Sequence, residues 1–287
     1  MKISGFTFLR NAQMLGYPFV ESISSALPLC DEFIVNVGDS EDDTLNMVKQ
    51  MQSPKIRIIQ SQWNERMTTK GYVYGQQKSI AHFNCSGDWA LYLEGDEVLH
   101  EDDLPRVRAS MEKYLSNGRV EALVFDYIHL YGDHLTYVSS PAWYRKEVRV
   151  IRNTVRAYSP DGLYFVVLTS NKRGRYPYAA PSGARIYHYG YVRKQEQMTE
   201  KVRRVGKYWG SSPDPKDYSK IDPYILREFR GSHPSVMQEW LARNVTSVFK
   251  ADPDYKLTLR DKKHRLAMRI EGLLGIDTTH KHFRLVT

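Results

Sequence analysis

Glu94, Asp96 and Glu97 follow directly on the apolar run Trp89-Ala90-Leu91-Tyr92-Leu93, with Gly95 between them able to take a tight turn. Carboxylates grouped in this way suit a hard divalent cation. Mg2+ and Mn2+ take oxygen ligands, and Mg2+ is commonly held by one or two carboxylates together with substrate phosphates. A strand that simply ends in an acidic helix start would leave the same letters, so the local pattern keeps both readings open.

The elements before these acids decide where they stand. Residues 3–8 read as a strand. Pro18 can open a helix that carries Val20, Ile23 and Leu27 on one face and stops at Pro28. Residues 32–37 form a second strand, broken by Gly38-Asp39-Ser40. Asp42 and Asp43 then begin a helix with Leu45, Val48 and Met51, where the helix dipole favours negative charge. A third strand at 56–59, a helix from about Tyr72 to Phe83 with Val73, Ile80 and Phe83 inward, and a fourth strand at 89–93 complete the alternation. This order implies right-handed βαβ units and a largely parallel sheet. Open sheets of that kind bind ligands beyond the carboxyl ends of their strands, which is where the acids lie.

Beyond the fourth strand the pattern changes. Leu104, Val107, Met111 and Tyr114 mark a helix, and strand-like runs at 122–125, 148–151 and 184–187 are joined by long aromatic connections. A mixed sheet with an inserted acceptor-side region fits them. From about residue 192 the chain reads as helical. Met198, Val202, Val205 and Trp209 share a face, and a turn-rich break at 210–215 follows. A second helix opens near Pro234 with Val236, Trp240, Val245 and Phe249. A third carries Leu259, Leu266, Ile270 and Leu273, with Gly275 as its C-cap. The division expected is therefore 1–191 for an α/β domain and 192–287 for a helical region packed on it.

The 287 residues are 41% hydrophobic and 26% charged, which is ordinary for a globular chain able to bury a core. The net charge of +8 collects late, in runs such as Lys201-Val202-Arg203-Arg204 and Lys262-Lys263-His264-Arg265. Such a surface attracts phosphates, nucleic acid or anionic lipid, although taken by itself a solvated helix face explains it better. Cys30 and Cys85 are too few for a disulfide framework, and a reducing cytoplasm is the expectation. The apolar start of the chain is too short for a signal peptide or a span, so any membrane would be met from the side, at its inner face.

Residues 88–97, with Glu94-Gly95-Asp96-Glu97, resemble the strand and DXD motif of family 2 glycosyltransferases, with Glu94 where Asp is usual. Residues 6–12 are similar to the family's first strand and nucleotide-holding loop, and residues 35–44 to its second strand and acidic turn. The resemblance covers roughly residues 3–195. It implies a GT-A fold, a Rossmann-like mixed sheet, and a nucleotide-diphospho-sugar donor held through Mn2+ or Mg2+. It assigns Glu94, Asp96 and His188 to the metal. Thr7, Arg10, Asn11, Asp39, Lys78 and Arg193 are assigned to the donor. Asp42 and Asp43 compete with Asp39 but read better as helix-start acids, and Lys78 reads equally well as a surface lysine.

Transfer with inversion needs a base for the acceptor hydroxyl. Asp161, in Ser159-Pro160-Asp161-Gly162, is the preferred one and Glu147 its rival. Asp161 also reads as an ordinary turn residue. Glu97 is a further catalytic candidate, or a residue that orients Asp96 or the sugar. The acceptor implied is a glycan or lipid-linked hydroxyl, as in polysaccharide biosynthesis. The resemblance does not reach the C-terminal third, whose basic helices with Trp209 and Trp240 suit peripheral contact with an anionic membrane, although plain packing explains both tryptophans better. Two other functions are weighed. A nucleotidyltransferase would need a glycine-rich loop after the first strand, where Arg10-Asn11-Ala12-Gln13-Met14 stands instead. A nucleic-acid-binding protein would need basic and aromatic residues on one platform, and the acidic first half opposes it.

Overall fold

The computed structural model describes residues 1–210, 217–244 and 248–286. The chain is a mixed α/β protein. β1 (Ile3–Leu9), α1 (Phe19–Ala26), β2 (Glu32–Gly38), α2 (Thr44–Gln50), β3 (Ile56–Ser61), α3 (Tyr72–His82) and β4 (Trp89–Tyr92) alternate as the sequence pattern requires. β1 pairs in parallel with β2 on one side and β4 on the other, and β2 pairs in parallel with β3. β1, β2 and β4 are buried almost throughout, as strands covered on both faces must be. The strand order reverses at the β1–β4 boundary, which is where such sheets leave a crevice.

β5 (Glu97–Leu99) and α4 (Leu104–Tyr114) lead to β6 (Ala122–Tyr131), β7 (Thr136–Val138) and β8 (Lys146–Arg152). β8 runs antiparallel between β4 and β6. β9 (Ala157–Tyr158), β10 (Val166–Ser170) and β11 (Arg173–Arg175) form a separate small sheet. β12 (Tyr178–Tyr191) pairs in parallel with β6 and antiparallel with β5. It is far longer than the run read at 184–187, because its alternation is interrupted by register shifts and by Gly183.

The C-terminal region contains α5 (Gln195–Val205), β13 (Leu226–Glu228), α6 (Gln238–Asn244), α7 (Leu259–Leu274) and β14 (Arg284–Leu285). It differs from the helical region expected for 192–287: β13 joins β7 and β14 joins β12, so both extend the main sheet. The second expected helix spans only α6 after a single 3-10 turn, and Val245 lies outside the described residues. Part of the 210–215 break does too. Phe83, expected inward, is exposed where α3 ends. No described helix is long and apolar enough to cross a membrane.

Candidate active site

A cavity of roughly 1130 Å3 opens at the carboxyl ends of β1 and β4. Its floor is the turn after β4. Leu93 N–H donates to Phe6 O at 3.2 Å, Ser22 Oγ donates to Glu94 O at 3.0 Å, and Glu97 N–H donates to Glu94 O at 3.0 Å. The turn then enters β5, which is clamped by β12. His188 stands opposite Glu97 in register, and Tyr189 N–H donates to Asp96 O at 2.8 Å. The β5–β12 ladder thus carries His188 to Asp96 although the two are far apart in sequence.

Asp96 is 2% exposed. Its Oδ2 receives Arg193 Nη2 at 3.1 Å and Lys201 Nζ at 3.3 Å, while His188 Nε2 lies 3.6 Å from Oδ1. Burial opposes ionisation, but Lys201, His188 and Arg193 outweigh it and hold the Asp96 carboxyl at about 2. Burial lowers the pKa of His188, against the pull of Asp96, so the imidazole is neutral at pH 7. Among the described residues, Oδ1 of Asp96 is buried without a hydrogen-bond partner. Gly190 leaves the space beside this pair open, since a Cβ there would lie 2.4 Å from His188 Nε2 and 2.8 Å from Asp96 Oδ2. A buried carboxylate oxygen without a partner, facing a neutral imidazole, is a donor set that suits a divalent cation. Among the described residues no group of three or more His, Cys, Asp or Glu stands close enough to hold an ion.

Glu94 lines the cavity, with 30% of its side chain exposed and Oε1 paired to Arg149 Nη2 at 3.1 Å. Burial, and then the charge of Glu97, pushes its carboxyl up to about 8. Arg149 is wholly buried and is also bound by both oxygens of Glu97, Nε–Oε2 at 2.7 Å and Nη2–Oε1 at 2.6 Å. Tyr127 donates to Glu97 Oε1 at 2.7 Å. Glu97 is therefore shut beneath the floor and lies outside the cavity lining, unlike the catalytic placement expected for it. Its geometry is that of a residue orienting the turn.

Other expected residues divide in the same way. Arg10, Asn11 and Asp161 line the cavity; Thr7, Asp39, Lys78 and Arg193 do not. Lys78 is wholly buried. Its Nζ lies 3.9 Å from the ring centroids of both Tyr92 and Phe165 and donates to Leu163 O at 3.1 Å. Burial and then Arg149 lower its pKa, and its Nζ is enclosed by the two rings instead of facing the cavity. Arg193 is spent on Asp96 and on Leu15 O. Thr7 is buried, and its Oγ1 has no hydrogen-bond partner among the described residues. Asp39 accepts Arg10 Nε through its backbone carbonyl at 3.1 Å and its carboxylate lies 3.2 Å from the same nitrogen, outside the lining, whereas Glu41 of the same turn lines the cavity. Asp42 accepts Met14 N–H and Thr44 Oγ1, tying the loop after β1 to the start of α2. Asp161 accepts Leu163 N–H at 3.0 Å, and burial raises its carboxyl pKa. Its rival Glu147 is wholly buried and paired with His282 at 2.7 Å, away from the cavity.

Several contributors had no signal in the sequence. Trp63, Tyr74 and Tyr208 pack edge-on and tilted at 5.0–5.9 Å beside Arg10. Glu65 gathers Arg10, Lys207 and Tyr208, while Arg204 reaches Glu41 at 2.9 Å. The segment after α5 thereby closes over the loops after β1 and β3. Only the basic run beginning at Lys201 hinted at it.

The fold and cavity define an α/β protein with a ligand crevice beyond a parallel sheet. No protein-family model matches the chain. It is 27% identical over 174 residues to an uncharacterized glycosyltransferase of Rickettsia typhi, covering 57% of this chain and 53% of that protein. It is 31% identical over 120 residues to another of Rickettsia felis, covering 40% and 38%. The chain spans about half the length or less of the curated relatives it matches. Among solved structures it is similar to residues 1–349 of S. aureus TarS, at 15% identity and a TM-score of 0.38 over 71% of this chain and 65% of that one. It is also similar to glucosyl-3-phosphoglycerate synthase of Mycobacterium tuberculosis, at 19% identity and 0.31 over 45% and 43%.

Proposed function

We propose that this chain is a glycosyltransferase of GT-A type, moving a sugar from a nucleoside-diphosphate donor to a hydroxyl of a glycan or lipid-linked acceptor. The observation that carries the reading is Asp96: a buried, ionised carboxylate at the end of β4, with one oxygen unpartnered beside a neutral imidazole and cations on the other. Curated relatives named glycosyltransferases support it independently.

Asp96 and His188 are the side chains that would hold Mn2+ or Mg2+, which when bound stabilises charge on the departing diphosphate as a Lewis acid. Glu94, the third ligand expected, is tied to Arg149 and among the described residues forms no group with Asp96 and His188 close enough to hold one ion. Arg10 and Asn11 lie where the nucleotide would be held, with the Trp63–Tyr74–Tyr208 cluster as an apolar wall for its base. Lys201 lines the cavity and adds positive charge beside Asp96. In an inverting reaction, Asp161 takes the proton of the acceptor hydroxyl and that oxygen bonds to the anomeric carbon. The carbon–oxygen bond to the diphosphate breaks, and its electron pair leaves with the nucleoside diphosphate. A carboxyl whose pKa is raised by burial is the stronger base for that step.

The test is thermal unfolding with UDP or GDP, with and without Mn2+. A specific ligand at about a hundred times its Kd adds roughly 2.7 kcal/mol, a rise of several degrees for a chain of this size. Asp96→Ala should remove the Mn2+-dependent part of that rise and lower turnover by on the order of a hundredfold or more. A melting point unmoved by either nucleotide sinks the proposal.

A further inference from the structure

α7 displays an apolar stripe to solvent. Leu259 and Leu273 are each 85% exposed, Leu266 is 59% and Ile270 is 40%. Their spacings of seven, four and three residues put them on one side of a helix with 3.6 residues per turn. Lys262 and Arg269 border the stripe on one side and Lys263 on the other, as the same geometry dictates. None of these three cations has a carboxylate partner among the described residues. Arg265 on the inner side, by contrast, is paired with Asp222 at 2.5 Å.

The helix is fixed from behind by its caps and by a buried ion pair. Thr258 and Asp261 cap its N-terminus reciprocally, and Tyr255 donates to Asp261 at 2.8 Å. Glu271 is buried and held by both terminal nitrogens of Arg145 at 2.9–3.0 Å. Gly275, at φ +63°, ends the helix.

We propose that α7 docks in the plane of an anionic bilayer surface. A leucine–isoleucine stripe with lysine and arginine on both flanks matches the layered polarity of that interface. The apolar side chains enter the acyl boundary, and the long cationic stems reach back to the headgroups. Charge complementarity favours this occupant over a second copy of the chain, because apposing the stripe with itself would set Lys262, Lys263 and Arg269 against the same cations. Arg260, exposed on the flank of the helix, and His264, half-buried one turn on, line the cavity. Docking therefore sets the cavity beside the membrane. On the transferase reading, and resting on it, that placement favours an acceptor carried by a lipid; the docking itself does not depend on that reading.

The test is co-sedimentation of the whole chain with phosphatidylglycerol/phosphatidylcholine vesicles against pure phosphatidylcholine vesicles. The wild-type chain should bind the anionic vesicles, and added salt should weaken the binding. The double variants Leu266→Glu/Leu273→Glu and Lys262→Glu/Lys263→Glu should each lose on the order of tenfold or more. Their melting points should stay unchanged, since all four side chains are solvent-exposed. Absence of wild-type binding, equal binding by both variants, or a solution dimer that Leu266→Glu/Leu273→Glu dissociates would each overturn the proposal. The nucleotide-dependent melting shift is independent of all three outcomes, so failure here leaves the transferase reading standing.

Discussion

Arg149 decides whether the floor of the cavity can exist. Two carboxylates, Glu94 and Glu97, meet one wholly buried guanidinium, and one of them is wholly buried as well. Removing one partner of a buried ion pair leaves the others uncompensated, which typically costs about 3–5 kcal/mol. Arg149→Met, close in size but neutral, is therefore expected to lower unfolding stability by about that amount in urea. Double replacement with Glu97→Gln should recover part of it. A single variant as stable as the parent would show that the carboxylates take up protons at no cost and that the ion pair does not hold the turn. The chemistry of this floor was only half legible in the sequence. Asp96 and Glu94 could be read because a strand followed at once by acids is a local pattern. Arg149 and Lys201 could not, because β8 and α5 bring them in across the fold and nothing near them in sequence marks either as a partner. For the same reason the sequence left Lys78 open between a phosphate contact and a surface lysine. Its neighbours in sequence are polar, and only packing shows Tyr92 and Phe165 on either side of it.

At the scale of elements, the first half of the molecule was legible because its strands and helices obey the two simple periods, and β1 to β4 fall close to where those periods put them. β12 was not, since register shifts break its alternation and it pairs with two strands of opposite sense, β5 and β6. Nor could the sequence show how closely α3 approaches the turn that carries Asp161. Gly75 permits that approach: a Cβ on it would lie 2.4 Å from Ser159 O and 2.7 Å from the carbonyl carbon of Pro160. Those are backbone atoms, so relief requires the turn itself to move. Gly75→Ala should cost about 1–3 kcal/mol as an overpacking change. If Asp161 is the base, displacing it by even about an ångström should lower turnover by as much as a hundredfold with little change in donor affinity. The pair of measurements is a urea titration and a kcat against KM comparison. An unaltered kcat in a destabilised variant would remove Asp161 from the reaction.

At the scale of the whole molecule, the C-terminal third is part of the structure that holds the site. Val98, Leu130, Tyr187 and Tyr189 from the sheet share one apolar cluster with Met237, Trp240 and Leu241 from α6 and the turn before it. Val98 lies in β5, the strand that follows Asp96, and Tyr189 in β12 adjoins His188, so α6 packs on the ladder that brings carboxylate and imidazole together. β13 and β14 add to the same sheet. A boundary at residue 191 therefore cuts through a core. Ending the chain there uncovers the cluster and removes Lys201, Arg204 and Tyr208 from the cavity wall. Trp240→Ala, at a side chain only 7% exposed, should cost about 3–5 kcal/mol. The full chain should unfold in urea as one transition followed by circular dichroism, and Trp240→Ala should shift that transition as a whole. Residues 1–191 alone should fail to give a cooperative transition. If that fragment instead unfolds cooperatively at the midpoint of the intact chain, the two regions are separate domains, and α6 has no part in fixing the geometry between His188 and Asp96.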